Sequence, residues 1–175
     1  MNKKKEISIK IDLLFEQENY PIARKILLKE LKENPNDHWL LTRISTTYYE
    51  EKKYKKALDF SKKAIQFAPD CPLTQWDHAG DLEMTGNLCN AIKIWKRLLS
   101  LDTEKLANDQ CGEGMTRAKA LQMDCAFRLG IAYNELNKPL ESKKYFDLHL
   151  KLRYPGNRSI YRLKYVMKRI KQNSH

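Results

Sequence analysis

The hydrophobic positions of three stretches, ENYPIARKILLKELKENPND, KKYKKALDFSKKAIQFAPDC and GNLCNAIKIWKRLLSLDTEK, superimpose when each is aligned on an alanine. Those alanines are Ala23, Ala57 and Ala91, so both steps are 34 residues. A fixed period of this length predicts stacked helix–turn–helix units. Small residues at Ala23, Ala57, Ala79, Ala91 and Gly130 let paired helices approach, and large residues between them fill the contact. Pro35 and Pro69 end the second helix of their units, because proline cannot donate to the preceding turn and disfavours helical geometry at the residue before it.

The period breaks once. A fourth unit, AFRLGIAYNELNKPLESKKYF, is recovered only after an insertion of about 17 residues, LANDQCGEGMTRAKALQ. The glycines of CGEG predict a loop before residue 115, and the run from Met115 then continues without a breaker, which predicts an extended helix. This departure is either a functional projection or a spacer that patches the register. After Pro155-Gly156, an apolar arc of Ile160, Leu163, Val166, Met167 and Ile170 opposes an arc of cations with Tyr161 and Tyr165. That pattern predicts a helix covering the last unit's open apolar face.

The register resembles the tetratricopeptide repeat family. In the unit starting at His38, the residues Leu41, Ile44, Ser45, Tyr48, Tyr54, Ala57, Ala64 and Pro69 fall on that family's pattern. In the unit starting at Pro72, Ala79, Leu82, Gly86, Leu88, Ala91, Trp95 and Leu98 do so, with Thr103 in place of proline. The unit starting at Lys4 matches through Leu14, Tyr20, Ala23, Leu27 and Pro35. The resemblance implies an all-α, right-handed superhelical solenoid of about four helix pairs plus a C-terminal capping helix. Its expected divisions are a repeat domain over 1–156 (units 4–37, 38–71, 72–105 and 123–156, insertion 106–122) and a basic cap over 157–175.

The same resemblance implies a concave groove where partners bind. Carried over, the groove residues include Trp39, Thr42, Thr46, Tyr49, Glu50, Trp76, Glu83, Phe127, Ile131, Asn134 and Glu135. Trp39, Tyr49, Trp76 and Phe127 are expected as anchors, with Glu50, Glu83 and Glu135 selecting charge. Over all the carried-over positions, one lysine faces six carboxylates, which predicts an acidic groove suited to a basic or amphipathic protein segment. The family's clamp for a chaperone's C-terminal carboxylate is disfavoured, because its five positions hold Ser8, Asp12, Arg43, Leu73 and Asp77. A non-catalytic adaptor is the resulting expectation, with a chaperone or immunity-type inhibitor of one basic partner as its narrower form.

Charge adds a second reading. The chain has 175 residues, a formal charge of +11 and a mean hydropathy of −0.69. Much of that charge lies after Asp147, where 28 residues carry +8 and no acidic side chain. Arg158, Arg162, Lys164, Lys168 and Arg169, interleaved with tyrosines, make up a basic patch that could meet nucleic acid or an anionic surface, or only solvate a cap helix. No apolar run approaches the ~18 residues of a membrane span, and no export signal opens the chain, which predicts a cytoplasmic protein. A monomer or a weak homodimer through the first unit is expected.

Candidate chemistry is sparse. Walker, GxSxG, dinucleotide and HExxH motifs are absent from the sequence, so no enzyme and no cofactor are expected. The cysteines, Cys71, Cys89, Cys111 and Cys125, lie 18, 22 and 14 residues apart, and no pair has a zinc-knuckle gap, so no metal site is expected. Cys111, in DQCGEG, is the one thiol placed where it could be exposed.

Overall fold

The computed structural model describes residues 3–109, 111–153 and 158–172. Ten helices are present among them and no strand. They run α1 (Lys3–Glu16), α2 (Tyr20–Glu33), α3 (His38–Glu50), α4 (Tyr54–Phe67), α5 (Pro72–Met84), α6 (Leu88–Ser100), α7 (Thr103–Asn108), α8 (Met115–Glu135), α9 (Pro139–Arg153) and α10 (Leu163–Gln172). Helix hairpins α1–α2, α3–α4, α5–α6 and α8–α9 stack in chain order into an all-α solenoid.

One turn recurs in all four hairpins. Glu18, Lys52, Gly86 and Asn137 adopt positive φ of 54°, 60°, 86° and 53°. The residue after each donates its N–H five residues back, as Asn19 to Leu14, Lys53 to Tyr48, Asn87 to Leu82 and Lys138 to Tyr133. This is the left-handed closure that satisfies the last carbonyls of a helix, and only at Gly86 is it free of Cβ strain. The spacing of these residues is 34, 34 and 51, one period and then one period plus 17.

The ends of the second helices explain the break. Asn34 and Ala68 share one conformation (φ −131°, ψ 68° and φ −140°, ψ 68°) ahead of Pro35 and Pro69. Leu101 is extended instead (φ −69°, ψ 149°), no proline follows, and the Asp102 side chain accepts from the Lys105 N–H to start α7. The insertion thus adds a short tenth helix to the nine of four pairs and a cap. Gly114, at φ 83°, then leads into the 21-residue α8.

Ala23, Ala57 and Ala91 are fully buried. The fourth unit has Ser142 at this place, buried and donating from Oγ to the Gly130 carbonyl at 2.8 Å. A Cβ on Gly130 would lie 2.7 Å from the Phe146 ring, so glycine alone fits that crossing.

The C-terminal segment differs from expectation. The boundary at 156–157 and the Pro155-Gly156 break lie outside the described residues. Of the expected apolar arc, Val166 is buried and Ile170 half-buried, but Ile160 and Leu163 are 63% and 48% exposed and Met167 is exposed too. Tyr161, assigned to solvent, makes the contact instead, its ring 4.4 Å from that of Phe127, while Tyr165 is exposed as expected, at the edge of the same ring. Residues 158–162 are not helical, because the buried Asp124 carboxylate accepts the Ser159 hydroxyl and, at 3.2 Å, the Ile160 N–H. These two bonds hold the approach to α10 across the concave side, while α10 itself still turns Val166 and Ile170 to the core.

Candidate functional site

Alternate faces of α1, α3, α5 and α8 line a concave cleft. Its upper part, about 710 Å³, includes Asp12, Trp39, Thr42, Arg43, Trp76 and Glu113. Its lower part, about 280 Å³, includes Tyr49, Glu50, Gly80, Asp81, Trp95 and Arg128, with Ile160 and Tyr161 at its end. Thr46, Trp76 and Asp77 belong to both, so the two parts are continuous. On α3 the cleft residues 39, 42, 46, 49 and 50 follow helical spacing, which is why one helix presents them together. The Tyr49 ring rests over Gly80 of α5, where an added Cβ would make an ordinary van der Waals contact at 3.7 Å.

The electrostatics differ from a bare acidic groove. The upper part holds Lys4, Arg43 and Arg117 against Asp12, Asp77 and Glu113. Arg43 pairs with Asp12 and stacks over Phe15 at 4.2 Å. The lower part holds the carboxyls of Glu50, Asp77 and Asp81 beside Arg128, of which only Glu50 is exposed. Arg128 sits 5.2 Å over the Trp95 ring and pairs with Glu83, which is therefore committed within the fold. Arginines one position beyond the groove stripe reach into it, and a count over the stripe alone omits them.

Burial pushes the Asp77 carboxyl up to about 7, with the Asp81 charge adding to this and Arg43 opposing it. Burial likewise raises Asp81 to about 6 against hydrogen bonds from Ser45 and Ser61. Asp81 is 1% exposed, and Ser45 Oγ lies 2.6 Å from its carboxylate and 2.7 Å from the Ala57 carbonyl. A protonated Asp81 can donate to Ser45 while Ser45 donates to Ala57, so the neutral acid satisfies all three groups. A folded pKa above the unfolded value contributes stability that is complete below the unfolded pKa and is lost as pH rises through about 6. Asp81→Asn should remove this dependence, so that wild type loses roughly 1–2 kcal/mol more than the variant between about pH 5 and about pH 8. Urea unfolding of both at several pH values checks it, and parallel profiles would refute it.

The structure brings together Trp39, Thr42, Thr46, Tyr49, Glu50 and Trp76. It separates Phe127 and Ile131, which are buried with Phe146 and Val166 beneath the C-terminal segment. Asn134 is half-buried and Glu135 exposed toward the end of α8, away from both parts of the cleft. Of the basic patch, Arg158, Arg162, Lys164 and Lys168 are exposed and Arg169 is half-buried.

A grouping that linear spacing hid is His38, Cys71 and Cys111, whose ligand atoms all lie within 4.8 Å of one another. Burial and the neighbouring Cys71 push the Cys111 thiol up to about 12, which argues against a reactive thiolate. The signal that could have found the group is the register itself. His38 begins one first helix and Cys71 is the cap of the next, so stacking makes them neighbours.

No family model matches the chain, and no curated protein matches it. Among solved structures, the crystal structure of the MamA protein is similar at a TM-score of 0.64 and 16% identity, over 85% of this chain and 72% of that one. YrrB, described as a TPR protein with an unusual peptide-binding site, gives a TM-score of 0.48 at 16% identity over 92% and 88%. The C-terminal part of a TPR repeat-containing protein from Cytophaga hutchinsonii gives 0.47 at 21% over 83% and 64%. No helix among the described residues is long and apolar enough to cross a membrane. The 34-residue register, the left-handed turn repeated in every hairpin and the likeness to MamA identify the fold of this chain as a tetratricopeptide-like all-α solenoid.

Proposed function

We propose that the chain is a non-catalytic adaptor that binds a partner protein segment in its concave cleft. The observation carrying this reading is the continuous cleft in which Trp39, Tyr49 and Trp76 stand half-buried among threonines. Half-exposed aromatics beside small polar groups supply apolar contact area at low entropy cost, as binding anchors do. The exposed Glu50 carboxyl of the lower part favours a segment that presents a cation there beside apolar residues, which is the basic or amphipathic partner expected from the sequence. A chaperone or inhibitor of one basic protein is the narrower form of the same role.

Trp76 lines both parts of the cleft, which makes it the residue to change. Trp76→Glu should weaken partner binding by about 2 kcal/mol or more, roughly 30-fold, with the helical content retained. The measurement is capture of the partner by wild type, by Trp76→Glu and by a Lys164/Lys168/Arg169→Gln variant, with and without nuclease, followed by titration of the purified pair. Undiminished binding by folded Trp76→Glu would exclude the cleft.

A second reading, attachment to nucleic acid through the C-terminal segment, is supported by an open trough where Arg162, Lys164, Lys168 and Lys171 flank Tyr165 and Met167. Its mark is affinity that falls steeply with salt and is lost in the Gln variant.

A further inference from the structure

We propose that His38, Cys71 and Cys111 form a binding site for a zinc ion that ties the inserted loop to the start of two successive repeats. The inference rests on this cluster and not on the adaptor reading.

The three ligands come from three separate segments. His38 is the first residue of α3, Cys71 the residue that caps α5, and Cys111 lies in the loop between α7 and α8. The His38 Nε2 lies 3.2 Å from the Cys111 Sγ. The sulfur of Cys71 makes no capping bond to its helix, so it is not occupied by a local structural task. Cys71 is buried, whereas His38 and Cys111 are half-buried, and all three line the wall of the upper cleft. An ion can therefore reach the site from solvent.

The loop is built to hold Cys111 at this point. Its N–H donates to the Asp109 side chain at 3.0 Å, and the Gly112 N–H donates to the Asp109 carbonyl at 2.7 Å. A Cβ on residue 112 would lie 2.5 Å from the Ala107 carbonyl oxygen, so only glycine allows so tight a fold. The Gly114 N–H also returns to the Ala107 carbonyl, at 3.3 Å.

The donor set selects the ion. Two sulfurs and one imidazole suit zinc and exclude calcium and magnesium, which demand oxygen ligands. Zinc–sulfur bonds of about 2.3 Å at tetrahedral angles place two sulfurs about 3.8 Å apart. Ligand atoms already within 4.8 Å of one another, with His38 Nε2 and Cys111 Sγ at 3.2 Å, need to shift by about 1 Å at most. Binding forms two Zn–S bonds and one Zn–N bond, releases the thiol protons of Cys71 and Cys111 to solvent, and leaves a site of zero net charge. Three protein ligands leave a fourth position for water on the cleft side.

The test uses the full, reduced chain purified without added metal, then titrated anaerobically with Zn²⁺ and, as a spectroscopic probe, Co²⁺. Wild type should bind one zinc per chain, show a thiolate-to-cobalt charge-transfer band with tetrahedral d–d absorption, and gain thermal stability with zinc. Cys71→Ser, Cys111→Ser and His38→Gln should each lose stoichiometric binding and that spectrum while keeping the far-ultraviolet circular dichroism of wild type. Substitution of Cys89, an exposed cysteine outside the cluster, should change nothing. Absence of stoichiometric zinc in the wild type, a preference for Cu(I) without zinc binding, oxidation of Cys71 and Cys111 to a disulfide with no metal uptake, or equal metal content in the three variants would each overturn the proposal.

Discussion

Phe127→Ala should lower the stability of the protein by about 3–5 kcal/mol, the cost of emptying a fully packed aromatic site. Phe127 is 1% exposed. Its ring lies 5.7 Å from Phe146, 5.3 Å from His149, 4.4 Å from Tyr161 and 5.8 Å from Tyr165. It thus joins α8, α9 and the C-terminal segment at one point, and no neighbour can collapse into the space without dragging a second ring with it. For a chain of this length the melting temperature should fall by about 6–20 °C. The basic segment 158–172 should also become open to trypsin, because Tyr161 and Tyr165 lose the ring they rest on. Calorimetry and timed digestion measure both effects. The groove-anchor expectation for Phe127 makes the opposite forecast, with binding lost and the melting temperature almost unchanged, so the variant separates the two roles.

Trp95→Ala should cost a similar amount, about 3–5 kcal/mol, for a different reason. Trp95 is wholly buried among Leu98, Leu129 and Tyr133, in the cluster that binds α5 and α6 to α8. Its loss would leave a cavity where the third unit meets the fourth, directly under the lower cleft. The indole N–H is buried and has no hydrogen-bond partner, so the side chain contributes through area and shape and not through its polar atom. Trp95→Phe should accordingly cost much less, about 1.5 kcal/mol or under, since it removes an unsatisfied donor while keeping most of the apolar volume. Equilibrium denaturation of both variants decides the point. Equal losses would mean that the N–H makes a bond the structure does not show.

The parts of the fold that could be read beforehand are those fixed by local chemistry. Ala23, Ala57 and Ala91 announced the period because a helix crossing accepts only small residues at its closest point. Pro35 and Pro69 marked helix ends through a missing donor, and CGEG marked the loop before α8. Parts of the candidate site were legible in the same way. Trp39, Thr42, Thr46 and Tyr49 share a face of α3 because helical spacing dictates it, and the cleft collects them with Trp76 of α5.

What failed to show in the sequence depends on what covers each face. Phe127 occupies a groove position by register, yet Ser159 and Ile160 bond to Asp124 from 35 and 36 residues away and carry Tyr161 across it. Glu83 looked free until Arg128, 45 positions on, paired with it. His38 and Cys111 are 73 residues apart, and no linear motif relates them.

The sequence by itself determined the repeat length, the pairing of helices, the break after the third unit and the helical faces, since each follows from periodicity and from the backbone limits of alanine, glycine and proline. Only the tertiary structure decided which faces stay open, which charges are spent on one another and which thiols meet an imidazole. Those outcomes rest on contacts between residues tens of positions apart, whose energies depend on burial and geometry that no local pattern encodes.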